Sequence, residues 1–185
     1  MEWLGYGALG AAILYLIATY NGLVALRARV GQAFADVDVQ LKQRHDLIPN
    51  LVETVKGYAS HERETFEAVV EARNRAASAR NPGDQAAAEV QLSGMLGRLM
   101  ALAEAYPELK SDENFRQLQS ELAETEDKLA AARRFFNNAV SEYNAALQAF
   151  PAVLFSGALG FTPREFFDVG EGERQRLDMA PQVKF

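Results

Sequence analysis

Two histidines, His45 and His61, and no cysteine limit the chemistry open to this chain. Without cysteine there is no thiolate nucleophile, no disulfide and no thiolate metal site. His61-Glu62 opens like the helix of a zinc protease, but Thr65 stands where the second ligand belongs. A hydrated zinc site takes about three protein ligands, so a surface histidine near a helix start is the simpler account. Arg44-His45-Asp46 and Asn50 form a denser group, and Arg133, Asn137 and Asn144 lie near the apolar face of a later helical pattern. Buried polar side chains need partners. These residues are either a satisfied polar layer that fixes bundle register or a ligand, metal or proton site.

Other chemistries find no support. Glu64, Glu67 and Glu71 share a helix face with Glu62 nearby, but the Glu-x-x-His of carboxylate di-iron bundles does not occur. A solvated acidic face accounts for them. The glycines at 5, 7 and 10 precede no Lys-Ser or Lys-Thr, and no Gly-x-Ser-x-Gly elbow occurs. No catalytic residue, cofactor or metal is expected. A net charge of -6 argues against nucleic acid as a partner, because phosphate binding needs a basic surface.

The elements that would position these groups are helical. From Trp3 to Leu26 there is no charged residue, and about 20 apolar residues suffice to cross a bilayer. Trp3, Tyr6, Tyr15 and Tyr20 suit interfacial anchoring. Gly7 and Ala11, four apart, allow two such helices close approach. A cleavable signal peptide would carry a positive leader, which is missing. Arg27, Arg29, Lys42 and Arg44 follow the span, so the positive-inside rule places the N-terminus outside and the body in the cytoplasm.

Val30, Phe34, Val37, Leu41, His45, Ile48, Val52, Val55 and Ala59 then step by threes and fours as one long helical stripe, without a linker after the span. Pro49 is expected to kink it, and Gly22 and Gly31 are possible bends. Ser60 would cap a second helix running to about Arg80, with Phe66, Val69 and Val70 buried. Asn81-Pro82-Gly83-Asp84 reads as a turn. A third stripe runs through Leu92, Leu96, Leu99, Ala103 and Tyr106, and the last helix is expected from Ser111 until Pro151 stops it. No segment alternates as a strand would. The expected fold is all-α: an N-terminal transmembrane helix continuous with a long antiparallel four-helix bundle. The domains are 1–26 as anchor, 27–151 as bundle and 152–185 as an aromatic tail packing on the bundle. Within the tail, Thr162-Pro163-Arg164-Glu165 is a capping box expected to start a short helix.

The stretch from Asp38 to Leu51, DVQLKQRHDLIPNL, resembles the signature of the LemA family. So do Thr54–Ala59, Tyr106–Lys110, Asn114-Phe115, Leu118-Gln119, Tyr143-Asn144, Phe150-Pro151, Gly160-Phe161, the closing Pro181–Phe185, and Tyr20-Asn21 after the span. Phe34-Ala35 departs from the Trp-Ser usual there, a change expected to affect packing only. The resemblance implies a bacterial membrane protein with an antiparallel four-helix bundle and no established enzymatic activity. Family genes often lie beside those of membrane proteins, among them a membrane metalloprotease, which implies an adaptor role. Three functions follow. The first is an inner-membrane scaffold acting through membrane-protein partners or homo-oligomerisation. The second is a ligand- or metal-binding, even enzymatic, bundle at the polar layer. The third is a membrane-surface or membrane-remodelling protein whose tail also touches lipid.

Overall fold

The computed structural model describes residues 2–167, which are all-α, with no strand among them. The helices are α1 (Glu2–Tyr58), α2 (Arg63–Ser78), α3 (Pro82–Glu104), α4 (Pro107–Ser111) and α5 (Glu113–Gln148), followed by one turn of 3-10 helix, Ala152–Leu154. The closing Pro181–Phe185 motif lies outside the described residues.

The helix boundaries follow from capping and proline chemistry. The segment Asn81–Asp84, expected as a turn, is instead the start of α3: Asn81 caps it and Pro82, Gly83 and Asp84 are already helical. The Asn81 side chain accepts the Asp84 amide at 2.8 Å, and Pro82 occupies the first helical position, where no donor is needed. Pro107 likewise occupies the first helical position of α4, here without a side-chain cap. The last long helix begins after Asp112, whose carboxylate accepts the Phe115 amide at 2.8 Å; Ser111 instead closes α4. Ser60 does not cap α2; Glu62 holds that position.

The chain forms two compact units. The first contains residues up to Val37 together with Ala132–Glu165. In it α1 and α5 run antiparallel, with Arg29 bonded to Glu142 at 2.8 Å and the Phe34 and Phe136 rings 5.3 Å apart. Phe34 thus packs on an aromatic neighbour. After α5 the chain turns back through Ser156, and Phe161, buried, meets Tyr20 edge-on at 5.5 Å. Gly160 closes that turn at φ +75°, a left-handed conformation that favours glycine.

The short helix expected at Thr162–Glu165 does not form; residues 161–167 are non-helical. The Asn144 side chain explains why. Its amide donates to the Arg164 carbonyl and its oxygen accepts the Arg164 amide, each at 2.9 Å. This paired contact satisfies the Arg164 amide and carbonyl without a helix, so helix formation gains little there.

The second unit contains Asp38–Ala131, with Phe166 and Phe167. Its core joins Ile48, Leu51 and Val55 of α1, Phe66 and Val69 of α2, and Leu92, Leu96 and Leu99 of α3, with Leu109 and Phe115. Each such leucine contributes roughly 1.5–3 kcal/mol relative to an exposed one. Val70, expected in this core, is exposed. The contacts give an up-down-up-down order. Arg73 of α2 reaches His45, Gln85 of α3 reaches Asp38, and Asp112, just ahead of α5, reaches Tyr58 at the end of α1.

Candidate functional site

Pro49 lies inside α1 without ending it. It has no amide hydrogen, so the carbonyl four residues earlier, that of His45, lacks its helical donor. The Arg73 side chain of α2 takes the vacant role, donating from Nε to the His45 oxygen at 3.2 Å. A cation from a neighbouring helix therefore repairs the break that the proline makes.

Arg44 and His45 both point inward here, at 2% and 6% exposure. Opposite them α3 carries Glu89, 1% exposed. Arg44 Nη1 donates to Glu89 Oε2 at 2.5 Å, and His45 Nε2 meets Glu89 Oε1 at 2.6 Å. Arg44 Nη2 also donates to Ser93 Oγ at 2.8 Å and lies 3.0 Å from the half-exposed Glu126 carboxylate of α5. Both Glu89 oxygens are thus engaged. Burial pushes the Glu89 carboxyl up, but the His45 hydrogen bond and the Arg44 charge outweigh it, and it titrates below its ordinary value of 4.5.

Of the residues singled out from the sequence, the structure joins Arg44 and His45 in this layer. Asp46 is exposed and paired with Lys42 at 2.6 Å, and Asn50 faces solvent. Arg133, Asn137 and Asn144 belong to the first unit, each half-buried. Glu89 is the partner that sequence reasoning missed. It sits three residues before Leu92 in the α3 stripe, in core register, and that spacing was the available signal. A surface cleft of about 300 Å³ reaches His45 between Asp38, Asp46, Arg73 and Gln85. Among the described residues no three His, Cys, Asp or Glu side chains are grouped to hold a metal ion.

The first unit presents a different surface. Among the described residues one helix, α1, is long and apolar enough to cross a membrane, and only 6% of its most apolar stretch is buried. Trp3, Leu4, Tyr6 and Leu14 are each at least 68% exposed, and Gly7, Ala11 and Tyr20 are also exposed.

The model of the LemA family matches residues 33–185. The chain belongs to the LemA family. It is 25% identical to the magnetosome protein MamQ of Magnetospirillum gryphiswaldense, over 86% of this chain and 68% of that protein. It is 26% identical to MamQ 2 of Paramagnetospirillum magneticum, over 85% and 67%. It is 20% identical to the LemA protein of Metamycoplasma hominis, over 92% and 78%. The LemA match contains the whole Arg44–His45–Glu89 layer and begins after the charge-free run of α1.

Proposed function

We propose that this LemA-family protein is a single-pass membrane-anchored scaffold. The observation that carries this reading is the charge-free run of α1 from Trp3 to Leu26, most of whose side chains are left exposed. In water so large an apolar surface drives association or insertion. Its length matches the roughly 30 Å hydrocarbon core at about 20 residues. Arg27 and Arg29 at its end favour a cytoplasmic bundle of the inner membrane with the N-terminus outside. The domains are then 1–26 as anchor, 27–151 as bundle and 152–185 as tail.

The polar layer serves the bundle. Arg44, His45 and Glu89 face one another, and such a buried set specifies which helices pair and in what register. The partners are membrane proteins, a membrane protease among them on the strength of the family resemblance, and a second copy through the Gly7–Ala11 face.

Crosslinking in native membranes followed by mass spectrometry tests the scaffold. The expected result is a reproducible set of membrane-protein or self crosslinks, with the self crosslinks lost in Gly7→Ile. A strictly monomeric chain with no reproducible neighbour would overturn it.

A further inference from the structure

A second charge-free run lies far from the first in sequence. From Tyr143 to Pro163 there is no Asp, Glu, Lys, Arg or His. The structure sets the end of this run against the charge-free run of α1. Ala146, Ala149 and Ala152 line a cavity of about 190 Å³ with Thr19, Leu23 and Leu26. Phe155 and Leu159 line an apolar groove of about 330 Å³ with Leu16, Ile17 and Tyr20. The loop therefore lies alongside residues 15–26 of the helix read as the span.

Three observations say what surrounds this loop. Its outward side chains are apolar: Phe150 is 75% exposed and Leu154 72%, with Val153 and Leu159 about half exposed. Most of its amides are paired internally. The amides of Val153, Leu154, Phe155, Ser156, Leu159, Gly160 and Phe161 all donate to carbonyls between Ala149 and Gly157. Each amide paired in this way lowers the cost of bringing the loop close to hydrocarbon, where water cannot serve as a partner. The charges gather on the other side: Arg29 pairs with Glu142, and Arg27 stacks on the Phe161 ring at 5.3 Å. Cationic side chains at that level match the headgroup region, where aromatic rings also settle.

We propose that Phe150–Gly160 is a second membrane contact, a loop whose backbone lies at the headgroup boundary while its apolar side chains enter the acyl chains beside α1, with Arg27, Arg29 and Glu142 at headgroup level. This rests on the reading of α1 as a membrane span. The anchor is then a helix plus a wedge in one leaflet, rather than a single helix.

The absence of cysteine allows a direct test. The full chain carrying Phe150→Cys or Leu154→Cys is labelled with an environment-sensitive fluorophore and reconstituted into phosphatidylcholine–phosphatidylglycerol vesicles. Ile13→Cys serves as the span reference and Val39→Cys, on the exposed face of the second unit, as the aqueous one. All four sites are exposed in the protein, and circular dichroism verifies folding. The expected result is loss of fluorescence at 150 and 154 with nitroxide-bearing lipid, equal to that at 13, and no loss with iodide on both faces. Quenching by iodide at 150 and 154, with position 13 still quenched by lipid, overturns the wedge and leaves the span. Protection from both quenchers at 150 and 154 also overturns it, because protein then covers the loop. Iodide quenching at position 13 refutes the span itself.

Discussion

Glu89→Ala is expected to destabilise the second unit by about 3–5 kcal/mol, the range for removing one member of a buried ion pair. The substitution leaves the Arg44 guanidinium, 2% exposed, facing only Ser93 and the half-exposed Glu126. It also strips His45 of its partner at Nε2. At about 2–4 °C per kcal/mol for a chain of this size, the thermal midpoint in detergent falls by roughly 6–20 °C. Asp46→Ala, which breaks the exposed pair with Lys42, should leave the midpoint almost unchanged. A Glu89→Ala midpoint within error of wild type would refute the account of the layer. Acid supplies a companion readout. Glu89 is held below 4.5 when folded, so its stabilisation is complete above that pH and is lost as pH falls through the lower folded value. The midpoint of wild type should therefore decline more steeply below about pH 4.5 than that of Glu89→Ala. Other depressed carboxylates, Asp46 and Asp112 among them, keep some decline in both.

Ile13→Asp is expected to expel the anchor from the membrane. Ile13 stands near the middle of the charge-free run and is about half exposed, so its replacement leaves protein packing nearly untouched. An aspartate at the centre of a span costs about 2.5–3.5 kcal/mol, while isoleucine there is favourable by about 0.3–0.6. The difference shifts insertion by roughly a hundredfold or more. After carbonate washing, the Ile13→Asp protein should leave the pellet while Ile13→Leu stays. Equal retention of both would mean that α1 does not hold the chain in lipid.

The helices were legible in the sequence because their apolar stripes are long. Val30 to Val55 and Leu118 to Leu147 keep a three-four spacing that only a helix satisfies. The tail was not legible in the same way. Thr162-Pro163-Arg164-Glu165 carries every local sign of a helix start, yet Asn144, twenty residues earlier in the chain, claims the Arg164 backbone. Tertiary pairing overrides a local propensity worth about 1 kcal/mol. The polar layer shows the same division. Arg44 and His45 sit in core register and stand out by type. Their shared buried counter-charge, Glu89, is indistinguishable by composition from the many solvated glutamates until α3 is placed. Pro49 likewise announced a lost hydrogen bond, and only the packing of α2 reveals Arg73 as its replacement.

The central claim is that α1 crosses the inner membrane once and leaves the bundle in the cytoplasm. Single-cysteine labelling tests it most directly, since the wild-type background contains no thiol. Glu2→Cys and Ser111→Cys are treated with a membrane-impermeant maleimide in intact spheroplasts and again after lysis. The account predicts that position 2 is labelled before lysis and position 111 only after it. Labelling of both positions to the same extent in intact spheroplasts would contradict the account.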